Sequence, residues 1–592
     1  MKFQVTDRCT GCGTCISNCH GHCLSMVDGR AVIDQSHCLS CGSCMTACRV
    51  EAILEEGDVY RRPAHDPIVL DCDIVVLGAG GAGLVAAARA AGISGKKVIV
   101  LEKMPFIGGG MNFAADWRIY GSQWQERRGI PNLMNEKMRD AMDATNWQLD
   151  NELVCQAYVN TGKFFDWFET MVPDYEFDEC MYVFDRPHGG QINPFPRDDS
   201  GRNACGLFAS RVLQKYCREH GVQILTRHRA VDVEMEGGRI SAVIADDPGG
   251  KTIVKCKAVV MATGSWISNR ALLKKLEPDY AKIPMPLEAH TSVAYTGDGI
   301  PLAEKLGAYI DYDSMCLRLM GPMGMAPGRA LSAISRSPAC LFVNLNGQRW
   351  VNEHTTIRTD NAFGVAQVLV RQPKGVSFTI FERSMVQEVY RRLDGTPLPG
   401  NADNPGGPIP IPEDYLEQLD LLSQPDGMRK LMARQMGGGP GGQPKGGGPG
   451  GPGGESFFCG ATLKELAEKA GIDCEGLTKT VADYNQMCAA GFDREFFKDP
   501  EQLVPFGDGP FYAIKGQLST DGAFGGIQVD KDTRAYADPA AKTVVPGLYV
   551  PGDFAASRFL NYNGVKVQVL NDLAWAISSG FSAGNAAVAD LG

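Results

Sequence analysis

Along much of the chain the apolar residues fall in short unbroken runs punctuated by glycine, the pattern of strands buried on both faces and not of half-exposed alternating strands. Asp73-Ile74-Val75-Val76-Leu77 is predicted to be a short buried strand. Gly78-Ala79-Gly80-Gly81-Ala82-Gly83 follows, and an alanine-rich helix is predicted from Leu84 to about Ala91. A second run, Lys97-Val98-Ile99-Val100-Leu101, predicts another strand that ends at Glu102. No apolar run approaches the ~20 residues that span a bilayer. Residues 437–454 are the opposite extreme, with twelve glycines and four prolines and no G-x-y period. Such a composition cannot bury a core and is expected as a surface loop, with the Pro-Gly-rich stretch 395–412 part of the same elaboration.

Composition adds limits. A chain of 592 residues leads to an expectation of three or four domains. Its formal charge of -11 argues against a nucleic-acid partner or an anionic membrane surface. Met1-Lys2-Phe3-Gln4-Val5-Thr6-Asp7 lacks the apolar core of a signal peptide, so a soluble cytoplasmic protein is expected. In a reducing compartment its twenty cysteines need a role other than disulfides.

Nine of the cysteines lie in the first 48 residues, and eight repeat one spacing, C-x2-C-x2-C-x3-C. Cys9, Cys12, Cys15 and Cys19 form the first run; Cys38, Cys41, Cys44 and Cys48 form the second, 29 residues later. Three closely spaced thiolates can face one iron–sulfur cube, while the fourth, expected to open a short helix, reaches the other cube. One [4Fe–4S] cluster is therefore assigned to Cys9, Cys12, Cys15 and Cys48, and a second to Cys38, Cys41, Cys44 and Cys19. Zinc would favour two separated C-x2-C pairs over two runs of four. Cys23 is expected to pack rather than ligate, and the remaining eleven cysteines to be small buried apolar residues. Residues 1–60 resemble the bacterial two-cluster ferredoxin domain, with His20 and Arg49 in place of the proline that usually follows the fourth cysteine.

The Gly78–Gly83 segment is G-x-G-x-x-G in context: strand before, helix after, and an acidic residue closing the second strand. Gly78 makes the turn, Gly80 lets the backbone approach a pyrophosphate, and Gly83 allows close helix–strand packing, with Gly81 and Ala82 at the helix start. The helix N-terminus offers N–H groups to phosphates, and Glu102 can accept from ribose hydroxyls. Glu102-Lys103-Met104-Pro105 with Gly108-Gly109-Gly110-Met111-Asn112 resembles the second glycine turn of FAD enzymes. Val259-Val260-Met261-Ala262-Thr263-Gly264-Ser265 looks like the strand–turn that returns to the flavin. Gly547-Leu548-Tyr549-Val550-Pro551-Gly552-Asp553 resembles the strand that places an acidic residue on the ribityl chain. A helix at about Val569–Ser579 would then aim its N-terminus at the isoalloxazine.

Together with Thr296-Gly297-Asp298-Gly299, Phe342-Val343-Asn344, Trp350-Val351-Asn352-Glu353 and Val481-Ala482-Asp483-Tyr484-Asn485, these segments resemble the fumarate reductase/succinate dehydrogenase flavoprotein family over most of residues 70–592. Its soluble flavocytochrome-type members are nearest in pattern. The resemblance implies an α/β chain: an N-terminal ferredoxin-like module (1–60), a Rossmann-type FAD-binding domain in two pieces (66–312 and 516–592), and an interrupting α+β capping domain (313–515). The Gly/Pro-rich insertion 395–455 would lie within the cap. No histidine occurs between His65 and His188, so FAD is expected to be non-covalent. The absence of a second dinucleotide fingerprint implies a protein electron donor such as ferredoxin or flavodoxin.

In the family, hydride passes between flavin N5 and an activated alkene while a cap arginine moves the proton. Arg358 falls one residue from the proton-donor position and Arg336 falls on a relay arginine, although Ala333 replaces its acidic partner. The substrate histidines are missing from Ser519-Thr520-Asp521-Gly522-Ala523 and from Asp313-Ser314-Met315-Cys316-Leu317-Arg318. The last carboxylate-binding arginine would fall in Arg558–Gln568, a stretch carrying Tyr562 and Lys566. Two buried carboxylates need several cations, so these losses argue against fumarate. Tyr562 and the run Met315, Met320, Met323, Met325 point to a larger, flatter, less charged substrate such as an enone, enoate, polyphenol- or steroid-like molecule. The expected activity is an anaerobic-type ene-reductase. A dehydrogenase running in reverse, reductive C–O cleavage and an electron-transfer flavoprotein subunit are the alternatives.

Overall fold

The computed structural model describes the chain apart from residues 1, 12–13, 18, 20–22, 39, 41, 49, 51, 56–62, 115–116, 176, 178–204, 284–286, 289–293, 325–333, 335–336, 354–361, 387, 389–414, 425–426, 428–429, 431–456, 556–560, 563–564 and 567–571. The unbroken apolar runs form the inner strands of a six-stranded sheet. Its order is Arg534–Asp538, Thr543–Tyr549, Ala258–Met261, Ile74–Leu77, Val98–Glu102 and Gln223–Thr226. All neighbours are parallel except the edge pair Arg534–Asp538 with Thr543–Tyr549. Every residue of Ile74–Leu77, Val98–Glu102 and Ala258–Met261 is buried, as a sheet covered on both faces requires.

The helix after the first strand spans Gly81–Ser94, three residues longer at each end than the alanine run predicted. It starts inside the glycine turn because a glycine can take helical angles there, and it stops at Gly95, which takes the left-handed conformation. The final helix is described over Asp572–Leu591 and continues past the expected end at Ser579, since its apolar residues run on to Leu591; its expected start at Val569 lies outside the described residues. It packs along Gly81–Ser94 and Asn151–Glu169. Gly580 and Gly584 permit this approach: a Cβ on either would lie 2.4 Å from the Ala82 carbonyl or 2.8 Å from that of Ala86.

A four-stranded sheet (Ile68–Asp71, Gly250–Lys255, Arg239–Asp247, Arg229–Glu236) flanks this unit. A second six-stranded sheet is organised around Phe511–Phe524, which pairs with Leu287–Glu288, Val376–Glu382, Cys316–Gly324 and Phe457–Gly460; Leu341–Val343 lies beyond Val376–Glu382. Two hydrophobic cores meet along this strand. Phe511–Ile514 belongs to a core with Leu341, Phe378 and Tyr484, whereas Leu518, Ala523 and Phe524 belong to the core of the nucleotide unit. The expected boundary at 515/516 falls inside this strand. Between the Gly/Pro-rich stretches, Tyr415–Leu422 forms a helix that buries Leu419 and Leu422, so residues 395–455 are not uniformly coil.

In the N-terminal module, Phe3–Val5 pairs antiparallel with Ile53–Glu55, and Leu24–Val27 with Arg30–Ile33. The two short helices, Thr14–Ser17 and Ser43–Ala47, each precede the fourth cysteine of a run. Cys19 and Cys48 therefore follow these helices and do not open them: the third cysteine of each run already lies on the helix. Among the described cysteines outside the module, Cys155 is exposed, contrary to the expectation of burial, because it lies on the outer face of Asn151–Glu169. No described helix is long and apolar enough to cross a membrane.

Candidate active site

The strand Ile74–Leu77 delivers the chain into the first glycine turn. Gly78 has a φ of 100°, and a Cβ there would lie 2.4 Å from the Ala262 carbonyl oxygen. At Gly83 a Cβ would lie 1.9 Å from the Gly78 carbonyl, so helix and turn are in backbone contact. Gly80 differs. Its conformation is extended, and a Cβ would meet nothing within 4 Å. Beside this open face the helix begins at Gly81 and Ala82 with no side-chain cap and no acidic residue in its first turn. Unpaired N–H groups facing open space make a seat for an anion.

The second glycine turn is tied to the first. Gly108 N–H donates to the Ala79 carbonyl at 2.9 Å, and Gly80 and Gly108 form a parallel bridge. Gly109–Phe113 makes one 3-10 turn that buries Met111 and Asn112, with Asn112 Nδ2 donating to the Ile107 carbonyl at 3.0 Å. A Cβ on Gly110 would lie 2.1 Å from the Tyr295 hydroxyl, and one on Gly264 would lie 3.0 Å from the same ring. Tyr295 thus stands between the two turns, a neighbour that no motif in the sequence signals.

Glu102 closes the second strand with both oxygens engaged. Its Oε2 accepts from Ala79 N–H and its Oε1 from Met104 N–H, each at 2.7 Å. Burial pushes this carboxyl above the usual range, and the two N–H groups with Lys103 oppose the rise. Lys103 Nζ donates to Asp298 Oδ2 at 2.8 Å and to Thr296 Oγ1 at 2.9 Å, and Arg229 Nη2 meets Asp298 Oδ1 at 2.8 Å. Burial alone would raise the Asp298 carboxyl, but Arg229, Lys103 and Thr296 hold it at about 2. Lys103 and Asp298, expected as cofactor residues, are thus partners in one ion-pair cluster, and Arg229 joins them from a distant strand.

Ala262, Thr263 and Gly264 follow the third strand across the Gly78 turn. The Thr263 hydroxyl oxygen is buried without a hydrogen-bond partner. At the far end, Gly552 N–H donates to Ser579 Oγ at 3.0 Å, and its carbonyl accepts from Trp575 Nε1 at 2.9 Å. Trp575 and Ser579, which sequence reading missed, pin the Gly552-Asp553 turn to the last helix. Asp553 starts the 3-10 turn Asp553–Ala555. Val569 lies outside the described residues. The open face at Gly80 and the orphaned Thr263 hydroxyl fit the pyrophosphate and polar groups of FAD, which Gly78–Gly83, Glu102, Gly108–Asn112, Ala262–Gly264 and Gly552-Asp553 would hold.

In the N-terminal module Cys15, Cys19, Cys44 and Cys48 are buried, and Cys9 and Cys38 are partly so; none of these six is in a disulfide. Cys12 and Cys41 lie outside the described residues, and among those described no group of three His, Cys, Asp or Glu side chains is gathered as a metal site. Two backbone bonds recur: Cys23 N–H donates to Cys19 Sγ at 3.3 Å, and Ala52 N–H donates to Cys48 Sγ at 3.1 Å. Thiol donors receiving N–H bonds suit an anionic iron–sulfur cluster. Cys23 does more than pack, because its sulfur lies 3.3 Å from that of Cys19.

Arg336 and Arg358 lie outside the described residues. Tyr562 and Lys566 fall on a two-stranded ribbon in which Tyr562 opposes Val565 and Asn561 opposes Lys566. The two histidine-free segments are neighbours: Leu317 pairs with Ala523, Arg318 with Gly522 and Leu319 with Thr520. Five residues before Arg358, Glu353 ends in a fully buried charge cluster with Arg349, Asp493 and Lys498. Neither Asp493 nor Lys498 carries a motif signal; they reach Arg349 and Glu353 from about 140 residues away.

A family model described as FAD binding domain matches residues 73–564, and one described as 4Fe-4S binding domain matches residues 31–54. The chain is 26% identical over 503 residues to fumarate reductase (cytochrome) of Shewanella frigidimarina, covering 83% of this chain and 72% of that protein. It is 23% identical over 494 residues to vinyl phenol reductase of Lactiplantibacillus plantarum, covering 82% and 90%. Its fold is similar to the open conformation of a flavocytochrome c3 fumarate reductase, with a TM-score of 0.60 and 20% identity over 90% of this chain and 83% of that one.

Proposed function

The chain belongs to the fumarate reductase/succinate dehydrogenase flavoprotein family and carries an N-terminal 4Fe-4S binding domain; from that premise we propose that it reduces an activated C=C bond of a small organic molecule with electrons delivered through its iron–sulfur module. It is an FAD-dependent oxidoreductase. One contact carries the proposal: the short helix Ser43–Ala47, which holds Cys44, packs against Gly109–Phe113, the second glycine turn of the FAD site. A cluster ligated there is adjacent to the flavin turn, which suits electron transfer between the two groups.

FAD, when bound, would supply the hydride that an alkene carbon receives. Around it, the chain's residues bind and orient. The helix N-terminus at Gly81 holds phosphate charge, and Glu102 keeps the turn at Ala79 closed. Trp575 and Ser579 fix the Gly552-Asp553 turn, which would hold part of the bound FAD. Arg358 is the candidate proton donor to the other alkene carbon, with Arg336 as a candidate relay arginine and Tyr562 and Lys566 as candidate substrate-contacting residues. An arginine can move a proton only when desolvated and poised by neighbours, since its free pKa exceeds ~12.

The substrate read from these residues is larger and less charged than fumarate, because the segments 313–318 and 519–523 that pair in the second sheet hold no histidine. The name of the vinyl phenol reductase among the relatives supports a substrate with an aromatic ring on the alkene. FAD is held non-covalently, and the electrons come from a protein donor of ferredoxin or flavodoxin type. Anaerobic purification should yield about eight irons per chain for two cubes, together with FAD released by acid. A low-potential dye should then drive reduction of vinyl phenols or enones. Reduction of the dye-linked flavin with no alkene consumed would refute the reductase reading, and Arg358→Lys with full turnover would remove Arg358 as proton donor.

A further inference from the structure

The two halves of the N-terminal module repeat each other, and the repeat exposes one difference. Four residues after Cys19 and four residues after Cys48, a backbone N–H donates to the preceding cysteine sulfur. The donor is Cys23 in one half and Ala52 in the other. The Cys23 side chain is therefore an added group at a position that the second half fills with a methyl. Its sulfur lies 3.3 Å from Cys19 Sγ, within reach of an S–H···S bond. Cys23 is buried at 7% exposure, so water does not compete for the thiol proton. A metal-bound thiolate carries no proton, so when Cys19 ligates a cluster, Cys23 is the donor.

The other half, which supplies Cys38, Cys41 and Cys44 to the cluster that Cys19 completes, faces the flavoprotein. Gly42, one residue after Cys41, is buried and has a φ of 73°; a Cβ there would lie 2.3 Å from the Phe106 ring. Phe106 is 6% exposed and precedes the second glycine turn. The first short helix instead has Ser43–Ala47 and Leu24–Val27, both within the module, as its main neighbours.

We propose that Cys23 is a positioning residue that acts through Cys19 to hold the cluster of Cys19, Cys38, Cys41 and Cys44 at a higher reduction potential than the cluster of Cys9, Cys12, Cys15 and Cys48. This rests on the iron–sulfur electron path of the preceding section. Hydrogen bonds to ligand sulfur stabilise the more negative, reduced form of a cluster and so raise its potential. The higher-potential cluster is then the flavin-facing one, and electrons run from the outer site toward FAD. Each electron leaves a one-electron protein donor, which is oxidised, and passes through both ligand sets without forming or breaking a bond. Two electrons and one proton make up the hydride delivered to substrate.

The test uses the full-length protein, purified anaerobically, with iron and sulfide counts and a redox titration followed by EPR. The native protein should show two one-electron cluster transitions. Cys23→Ala, which copies the environment of Ala52, should lower the upper midpoint and leave the lower one in place. Cys23→Ser, which restores a donor, should fall between them. A Cys23→Ala midpoint pair identical to the native pair, or movement of the lower midpoint alone, would overturn the inference. About four irons per chain, or a single transition in the native protein, would overturn the two-cluster electron path itself, an outcome distinct from unshifted midpoints at full iron content.

Discussion

Glu353→Gln is expected to loosen the second core without touching a cofactor residue. Glu353 Oε1 accepts from Arg349 Nε at 3.0 Å and Phe342 N–H at 3.2 Å, while Oε2 accepts from Arg349 Nη2 at 2.8 Å and meets Lys498 Nζ at 3.1 Å. Asp493 completes the cluster through Arg349 Nη1 and Nη2 at 3.1 and 2.8 Å. The four side chains are at most 1% exposed and carry two positive and two negative charges. Burial works against every one of these charges. Lys498 and Arg349 nonetheless keep the Glu353 carboxyl below its usual range, and Arg349 holds Asp493 at about 2. The substituted glutamine would keep the volume but leave one buried positive charge uncompensated, a loss of about 3–5 kcal/mol. The assay is hydrogen exchange at the Phe342 amide, which Glu353 accepts directly, because local opening is better defined in a multi-core chain than one global transition. Where exchange follows the opening equilibrium, this loss is an acceleration of about a hundred- to a few thousand-fold. Adding Lys498→Met restores neutrality and should recover about 1 kcal/mol or more. Acceleration under about fivefold, or a double variant that exchanges faster than the single one, would refute the charge-balance argument.

Gly80→Ala meets no protein atom and needs no strained backbone, so thermal stability of the apoprotein should change little while FAD retention, read as absorbance near 450 nm after gel filtration, is lost; retained flavin would show that the open face is not the pyrophosphate seat. Gly83→Ala should instead lower expression and fold stability, since its Cβ would enter the Gly78 carbonyl. Because the folded Asp298 carboxyl is depressed to about 2, its ion pairs stabilise the protein fully above the unfolded carboxylate range of about 4 and are lost as pH falls toward 2. Asp298→Asn should therefore weaken FAD retention equally from pH 5 to 8, and a slope across that window would assign the effect to another group. With maleimide and peptide mapping, Cys155 should label fast, whereas Cys217, Cys256 and Cys340, whose thiols burial pushes up to about 12, should stay unlabelled in the native state.

What the sequence by itself determined is whatever local chemistry dictates. The runs around Ile74–Leu77 and Val98–Glu102 are too apolar to face water, and only glycine fits at Gly78 and Gly83, so the nucleotide turn was legible residue by residue. The repeated cysteine spacing was equally readable, because a cube constrains ligands a few residues apart. What only the tertiary structure decided depends on residues far apart in the chain. Tyr295 between two glycine turns, Arg229 on Asp298, Trp575 on Gly552 and the Arg349–Glu353–Asp493–Lys498 cluster each join segments that share no motif. The same holds for Cys23, whose sulfur gains a partner through the fold of its own module, and for Phe106 against Gly42. Periodicity and spacing report which face a residue turns inward. They carry no information on which distant residue meets it there, because that is set by how sheets and helices pack after each has formed.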